Sequence, residues 1–355
     1  MNEKREKYID IVKGIAIILM YIGHFSEMKY GDIQKIIFIF IYSFHMPLFF
    51  ILSGYNFKDH YLDNYIAFLK KRVCRLLVPL VFFSIINIMV YTFLTYHHTG
   101  VLCTSNIKIW MLGIILEDKG GHYYSFFWFL SCLFLAENIF WIVRKILANK
   151  KYSYFPVVIL IYLCGTFIAI NKIHVYWGID MALVAVLFMA IGRLYKKYEN
   201  EMDKRRNYIF NILMLLIGIT GPFINYYICK EPINMSASQI NNWILFPLIA
   251  SVNSLNIINI SKRICAYNLK IKILTFIGEN SLLFYVLSNI SLLIPDFIMK
   301  KILCTNYDKL GNKGILLVMI LEPLHLFVSA ICVLIINKKF RWLTGDFKRK
   351  KSRKI

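Results

Sequence analysis

The sequence predicts an all-α integral membrane protein of about ten transmembrane helices with both termini cytoplasmic. Three observations predict it. Of 355 residues, 58% are hydrophobic and only 17% charged, whereas a soluble domain is about 25% charged. The apolar residues gather into runs close to the ~20 residues that a helix needs to cross hydrocarbon. The 42 Lys and Arg, against 20 acids, cluster on alternate connections between those runs, as the basic residues of cytoplasmic loops do. Basic residues placed in this way mark membrane topology and argue against nucleic acid as a partner.

The runs lie near 9–28, 36–57, 76–95, 126–143, 154–171, 174–192, 208–228, 243–260, 273–294 and 315–336. With the N-terminal EKREK inside, the even-numbered connections are cytoplasmic. They hold Lys70, Lys71, Arg72 and Arg75; Arg144, Lys145, Lys150 and Lys151; Arg193, Lys196, Lys197 and Lys204 to Arg206; and Lys262, Arg263, Lys270 and Lys272. The tail KRKKSRK also falls inside. The 295–313 connection, with Lys300, Lys301, Lys309 and Lys313, departs mildly from the rule. The piece IWMLGIIL at 109–116 is too short to cross comfortably and is expected to be interfacial or re-entrant.

No internal repeat, linker or composition shift divides the chain. One polytopic domain over 1–355 is expected, with short basic ends at 1–8 and 338–355. The first run lacks a small-residue cleavage site, so it is expected to stay as a span. The eight cysteines lie mostly inside apolar runs, without a CxxC pair. They read as packing residues, not as a disulfide framework or a metal site. Cys103, Cys229 and Cys304 fall in outside loops. The Lys-, Ile- and Asn-rich composition points to an AT-rich bacterial genome, hence to a multi-pass protein of the bacterial inner membrane.

An ionisable side chain inside a span is costly unless paired or hydrated, which makes it a functional candidate. These are Asp10, Lys13, His24, His45, Glu137, Asp180, Glu279, Glu322 and His325. Lys13 and His24 are eleven residues apart, so they share one helix face, roughly 20° apart around the axis and about 16 Å along it. Asp10 precedes Lys13 by three and can pair with it. Gly14 and Gly23 let a ligand or a neighbouring helix come close. The alternative is a snorkelling Lys13 and a hydrogen-bonded packing His24.

The stretch FHMPLFFILSGYNF, 44–57, places His45 near mid-depth of the second run. Pro47 removes a backbone bond and frees a carbonyl, which needs a partner or a water-filled cavity. A kink packed against another helix explains Pro47 equally well. Ser53 and Gly54 let backbone approach something near the cytoplasmic end. In KKRVCRLLVP, Arg72 and Arg75 stand three apart at the start of a helix, a spacing suited to gripping phosphate. Setting topology and meeting anionic membrane lipid would explain them as well.

Together these stretches resemble the membrane-bound acyltransferase family (acyltransferase 3), and within it the sugar O-acetylases of the fucose 4-O-acetylase type. The family's pattern of a basic residue, a ten-residue gap and a histidine is matched by Lys13 and His24. Its FFxxSG motif is matched by Phe49, Phe50, Ser53 and Gly54, and its RxxR motif by Arg72 and Arg75, with Pro79 following. FWFLSCLF at 127–134 resembles the start of the family's fourth span. The resemblance implies transfer of an acyl group, usually acetyl from acetyl-CoA, to a hydroxyl of a cell-surface or exported carbohydrate.

In that reading Lys13, Arg72 and Arg75, with Ser53 and Gly54, meet the acyl donor. His24 is the base toward the acceptor, and His45 orients the acceptor or carries a proton. Asn289 stands where relatives commonly carry a histidine, so His325, paired on one face with Glu322, is a supporting candidate. The alternatives are a transporter or flippase of glycan or lipid-linked glycan intermediates, and a sensor or structural membrane protein.

Overall fold

The structure, a computed structural model, describes residues 6–27, 31–100, 104–117, 127–147, 154–205, 207–267, 271–298 and 314–340. Most of EKREK, the tail, the greater part of the 295–313 connection, Lys150, Lys151, Arg206, Lys270, Cys103 and Cys304 lie outside the described residues. Those described form an all-helical bundle without a β-strand. Each of the ten apolar runs is mostly helical over its described residues, although the helix in the 174–192 run begins only at Ile179.

In chain order the helices are α1 (Lys7–Glu27), α2 (Asp32–Tyr42), α3 (His45–Tyr55), α4 (Tyr65–Arg72), α5 (Val78–Thr99), α6 (Thr104–Leu116) and α7 (Trp128–Ile146). There follow α8 (Tyr154–Ile170), α9 (Ile179–Arg205), α10 (Tyr208–Cys229), α11 (Leu245–Ala266), α12 (Lys272–Glu279), α13 (Ser281–Phe297) and α14 (Gly314–Lys339). By length and composition four described segments can each cross a membrane: 32–55, 65–97, 208–229 and 320–339. The pair α12 and α13, bent by 88°, makes a fifth if counted as one broken span. The apolar piece at 109–116 lies in α6, whose apolar part, Ile107–Leu116, falls among the shorter helices.

Helix α9 is the centre of the bundle. Between Met181 and Ala190 it is buried on nearly all sides, as expected for a helix with no solvent face. Helices α3 and α8 pack along it. Close backbone approach makes the α3–α9 contact possible: a Cβ on Gly54 would sit 1.9 Å from the Met189 carbonyl oxygen, and one on Gly192 1.9 Å from that of Ile51. Helix α1 crosses α12 in the same manner, with Gly14 against Leu274 and Gly278 against Asp10.

Two expected continuous spans are broken. The 36–57 run ends one helix at Tyr42 and begins another at His45, with Phe44 outside helical geometry (φ −149°, ψ −16°). Pro47 therefore does not free a carbonyl at mid-helix. It occupies the first turn of α3, where a missing N–H costs no intrahelical bond. The 273–294 run turns sharply at Asn280. Helix α10, whose outer face exposes Ile212, Leu213, Leu216, Ile217 and Ile219, is held to the bundle by α11. Pro222 lies inside it and cannot donate to the Gly218 carbonyl. Asn253 of α11 does so instead, Nδ2 to oxygen 2.9 Å.

Asn253→Leu is accordingly expected to lower stability by about 1–3 kcal/mol, the cost of a buried carbonyl left unpaired. Thermal unfolding in detergent measures it. Pro222→Ala, which restores the intrahelical donor, should remove most of that cost. An unchanged midpoint in Asn253→Leu would refute the account.

Candidate functional site

Helices α1, α3, α4, α7, α12, α13 and α14, with the connections after α3 and α4, surround one cavity of about 670 Å³, within the ~300–1,000 Å³ usual for small-molecule sites. Helix α3 presents Met46, Phe49 and Ser53, spaced to share one face, and Asn56 follows at its C-terminal cap. Helix α1 adds Lys13 and Ile17, one turn apart. Helix α7 adds Phe129, Leu130, Leu133 and Glu137. Lys71, Arg72 and Arg75 come from the end of α4 and the turn after it, and Gly278 to Leu283 from the α12–α13 corner.

Arg72 and Arg75 are not at the start of a helix, as the sequence suggested. Arg72 ends α4, and Arg75 lies in a π-helical turn, Val73–Leu77, that joins α4 to α5. Such wide turns recur at functional sites. Here both guanidiniums belong to the cavity wall, Arg75 exposed and Arg72 half-buried.

Ser53, Glu137 and Arg72 join three helices at mid-wall. The Ser53 hydroxyl donates to Glu137 Oε1 at 2.5 Å, and Arg72 Nε lies 3.0 Å from Glu137 Oε2. The Arg72 guanidinium also stands 5.1 Å over the Phe68 ring. Glu137 is 2% exposed, so its charge is held by these partners and not by water. The cavity wall carries five cationic side chains, Lys13, Lys58, Lys71, Arg72 and Arg75, against two acids, Glu137 and Glu279. The excess favours an anionic ligand. At the corner, Asn280 accepts from Asn337 Nδ2 at 2.7 Å and donates to the Phe276 carbonyl at 2.8 Å. The first turn of α13 thus forms part of the wall, and its dipole adds positive potential.

Gly54 does not line the cavity; it is the contact point with α9. Asp10 is buried where α1 meets α12, apart from the lining. Neither His24 nor His45 lines the cavity, although Met46, next to His45, does. The two histidines flank Tyr42. Its hydroxyl is 3.4 Å from His24 Nδ1, and its ring centroid 4.8 Å from that of His45. The break between α2 and α3 makes this arrangement possible. His45 Nδ1 lies 2.9 Å from the Ile41 carbonyl. A carbonyl only accepts, so Nδ1 carries the hydrogen of this bond.

The Glu322–His325 pair forms as expected, Oε1 to Nδ1 3.4 Å, one turn apart. It too lies outside the cavity lining. His325 Nε2 donates to the Ser288 carbonyl at 2.9 Å, next to Asn289, and its ring packs 4.3 Å from Tyr21. Tyr21 in turn donates to the Phe284 carbonyl at 2.8 Å and bonds Ser329. The group braces α1, α13 and α14.

With this geometry in view, the family description "Acyltransferase domain", of the acyltransferase 3 type, matches residues 6–336. The chain belongs to that family. Over 142 residues it is also 30% identical to nodulation protein NolL of Sinorhizobium fredii, a match covering 38% of this chain and 37% of that protein. The chain thus spans well under half the length of this curated relative. No solved structure matches it.

In this acyltransferase-family chain, the structure brings four of the site residues expected from the sequence to one cavity: Lys13, Ser53, Arg72 and Arg75. Sequence reading assigned Glu137 no role, although an acid inside a span was the available signal. Its partners Ser53 and Arg72 come from other helices, and no local spacing announces them. Tyr42 was missed because nothing marks a tyrosine as a neighbour of two histidines until the helix break is known.

Proposed function

We propose that the chain is a membrane-bound O-acyltransferase. It moves an acetyl group from acetyl-CoA to a hydroxyl of a cell-surface or exported carbohydrate, at the bacterial inner membrane. In this reading the ten helical runs are spans, both ends are cytoplasmic, and the cavity opens to the cytoplasm at Lys58, Lys71 and Arg75. The observation that carries it is the cavity itself. It gathers Lys13, Ser53, Arg72 and Arg75, carries excess positive charge, and has an apolar portion formed by Ile17, Met46 and Phe129. A coenzyme A thioester has that polarity: several phosphates at one end and an uncharged acyl group at the other.

The chemistry needs a base for the sugar hydroxyl. His24 takes the hydroxyl proton as the oxygen attacks the thioester carbonyl. The carbon–sulfur bond breaks, and the thiolate leaves and takes up the proton. His45, with Nδ1 fixed on Ile41, orients the acceptor or carries the proton onward.

Transfer of radiolabelled acetyl from acetyl-CoA to glycan in membrane vesicles tests this. Arg72→Ala with Arg75→Ala should raise the KM for acetyl-CoA by roughly 10²–10⁴-fold, since two charge-assisted bonds worth about 1.5–3 kcal/mol each are lost. Absence of label with the wild-type protein would remove acetyl-CoA as donor. The transporter reading draws support from the two broken runs, yet these are the second and the ninth. Inverted repeats would place such breaks at corresponding positions of the two halves.

A further inference from the structure

We infer that Phe129 sets the length of the acyl group the protein transfers, and that it restricts the donor to short chains. The inference rests on the acyl-CoA reading above. Charge orders the cavity along its length. Lys58, Lys71 and Arg75 lie on the segments that follow the C-terminal end of α3. Met46 and Phe49 lie toward the opposite, N-terminal end of α3, with Ile17, Leu130 and Phe129 completing the apolar portion. The ten residues from Met46 in α3 to Asn56 at its C-terminal cap make this gradient about 15 Å long. Phosphates cannot leave the cationic end for an apolar one without losing hydration and counter-charge. The donor therefore lies with its thioester, and the carbon chain beyond it, toward Phe129.

Phe129 is a fixed obstacle there. It is 6% exposed, and its ring is packed from several directions. The centroids of Phe50, Tyr285, Phe49 and Trp128 lie 5.2, 5.5, 5.7 and 6.2 Å from its own. These rings come from α3, α13 and α7 itself. Interiors packed in this way yield little to an inserted methylene. A longer acyl chain would have to displace the ring, and the aromatic neighbours leave it no place to go. Replacing the ring with a methyl group vacates space at the end of the carbon chain while leaving all five cations of the cavity untouched.

The test is a donor series. Membrane vesicles containing wild type, Phe129→Ala or Phe129→Leu receive acetyl-, butyryl- or hexanoyl-CoA, each labelled in the acyl group. The ratio of label transferred from each donor is compared within one preparation. That ratio is independent of how much protein folds, and Phe129→Leu keeps the test open if the alanine variant does not accumulate. Wild type is expected to prefer acetyl. Phe129→Ala should shift the hexanoyl-to-acetyl ratio at least 10-fold toward hexanoyl, and Phe129→Leu should shift the butyryl ratio in the same direction. Acetyl transfer with identical donor profiles in all three proteins overturns the role of Phe129 and leaves the acyltransferase reading standing. A wild-type preference for hexanoyl overturns it too. Transfer from none of the donors by wild type overturns the donor reading and this inference with it.

Discussion

His24→Ala is expected to lower acetyl transfer to glycan by about 10²–10⁴-fold, the usual contribution of a positioned general base, with protein level and acetyl-CoA affinity unchanged. The expectation follows from the position of His24 on α1. Lys13 and Ile17 of the same helix line the cavity, and His24 stands two turns beyond Ile17, outside the lining, where the proposed reading puts the acceptor. Its Nδ1 is within 3.4 Å of the Tyr42 hydroxyl. For Nε2 to act as the base, Nδ1 must carry the hydrogen and donate to that oxygen. Tyr42→Phe should therefore lower the rate by a smaller factor and leave the KM for the donor alone. The measurement is initial rate against acetyl-CoA concentration in vesicles matched for protein. Wild-type rates in His24→Ala would make His24 a packing residue and move the search for the base to His45 or His325.

Glu137→Ala is expected to be the most destabilising single change at the cavity, by about 3 kcal/mol. Breaking a buried ion pair from one side costs about 3–5 kcal/mol because the other charge is left uncompensated. The low end applies because the Arg72 side chain keeps 16% of its exposure while Glu137 keeps 3%. The same change releases Ser53 and lets Arg72 swing away from the wall, so the KM for acetyl-CoA should rise as well. Glu137→Gln keeps an acceptor for Ser53 but not the charge, and should fall between. Removing both charges, Glu137→Leu with Arg72→Met, should recover much of the stability and none of the donor affinity. Thermal unfolding in detergent and donor KM separate the two effects. A Glu137→Ala protein with wild-type midpoint and KM would show that the pair is incidental.

The helices were legible because hydropathy is a local property. A run such as 208–228 needs no knowledge of its neighbours to be helical, and α10 covers it nearly residue for residue. The breaks were less legible. Pro47 signals that a helix cannot continue unaltered, but whether the chain kinks at the proline or restarts before it depends on what receives Tyr42 and Ser43. The corner at Asn280 has no proline at all; Asn337 and the Phe276 carbonyl hold it.

The candidate site divides in the same way. Lys13, Ser53, Arg72 and Arg75 were identifiable because motif spacing and charge in an apolar context are written in the chain. Ser53 and Gly54 read as one unit, yet adjacent residues on a helix point about 100° apart. Ser53 faces the cavity and Gly54 faces α9. The sequence by itself determined an all-helical, membrane-type chain with an ordered set of polar residues, since burial preference and helical period act over a few residues. Only the tertiary structure decided that Glu137 meets Arg72 and Ser53, that Tyr42 stands between two histidines, and that Phe129 lines the cavity beside Phe49 and Tyr285. Those are contacts between helices, and they depend on how glycine-lined surfaces such as Gly54 and Gly192 let backbones approach.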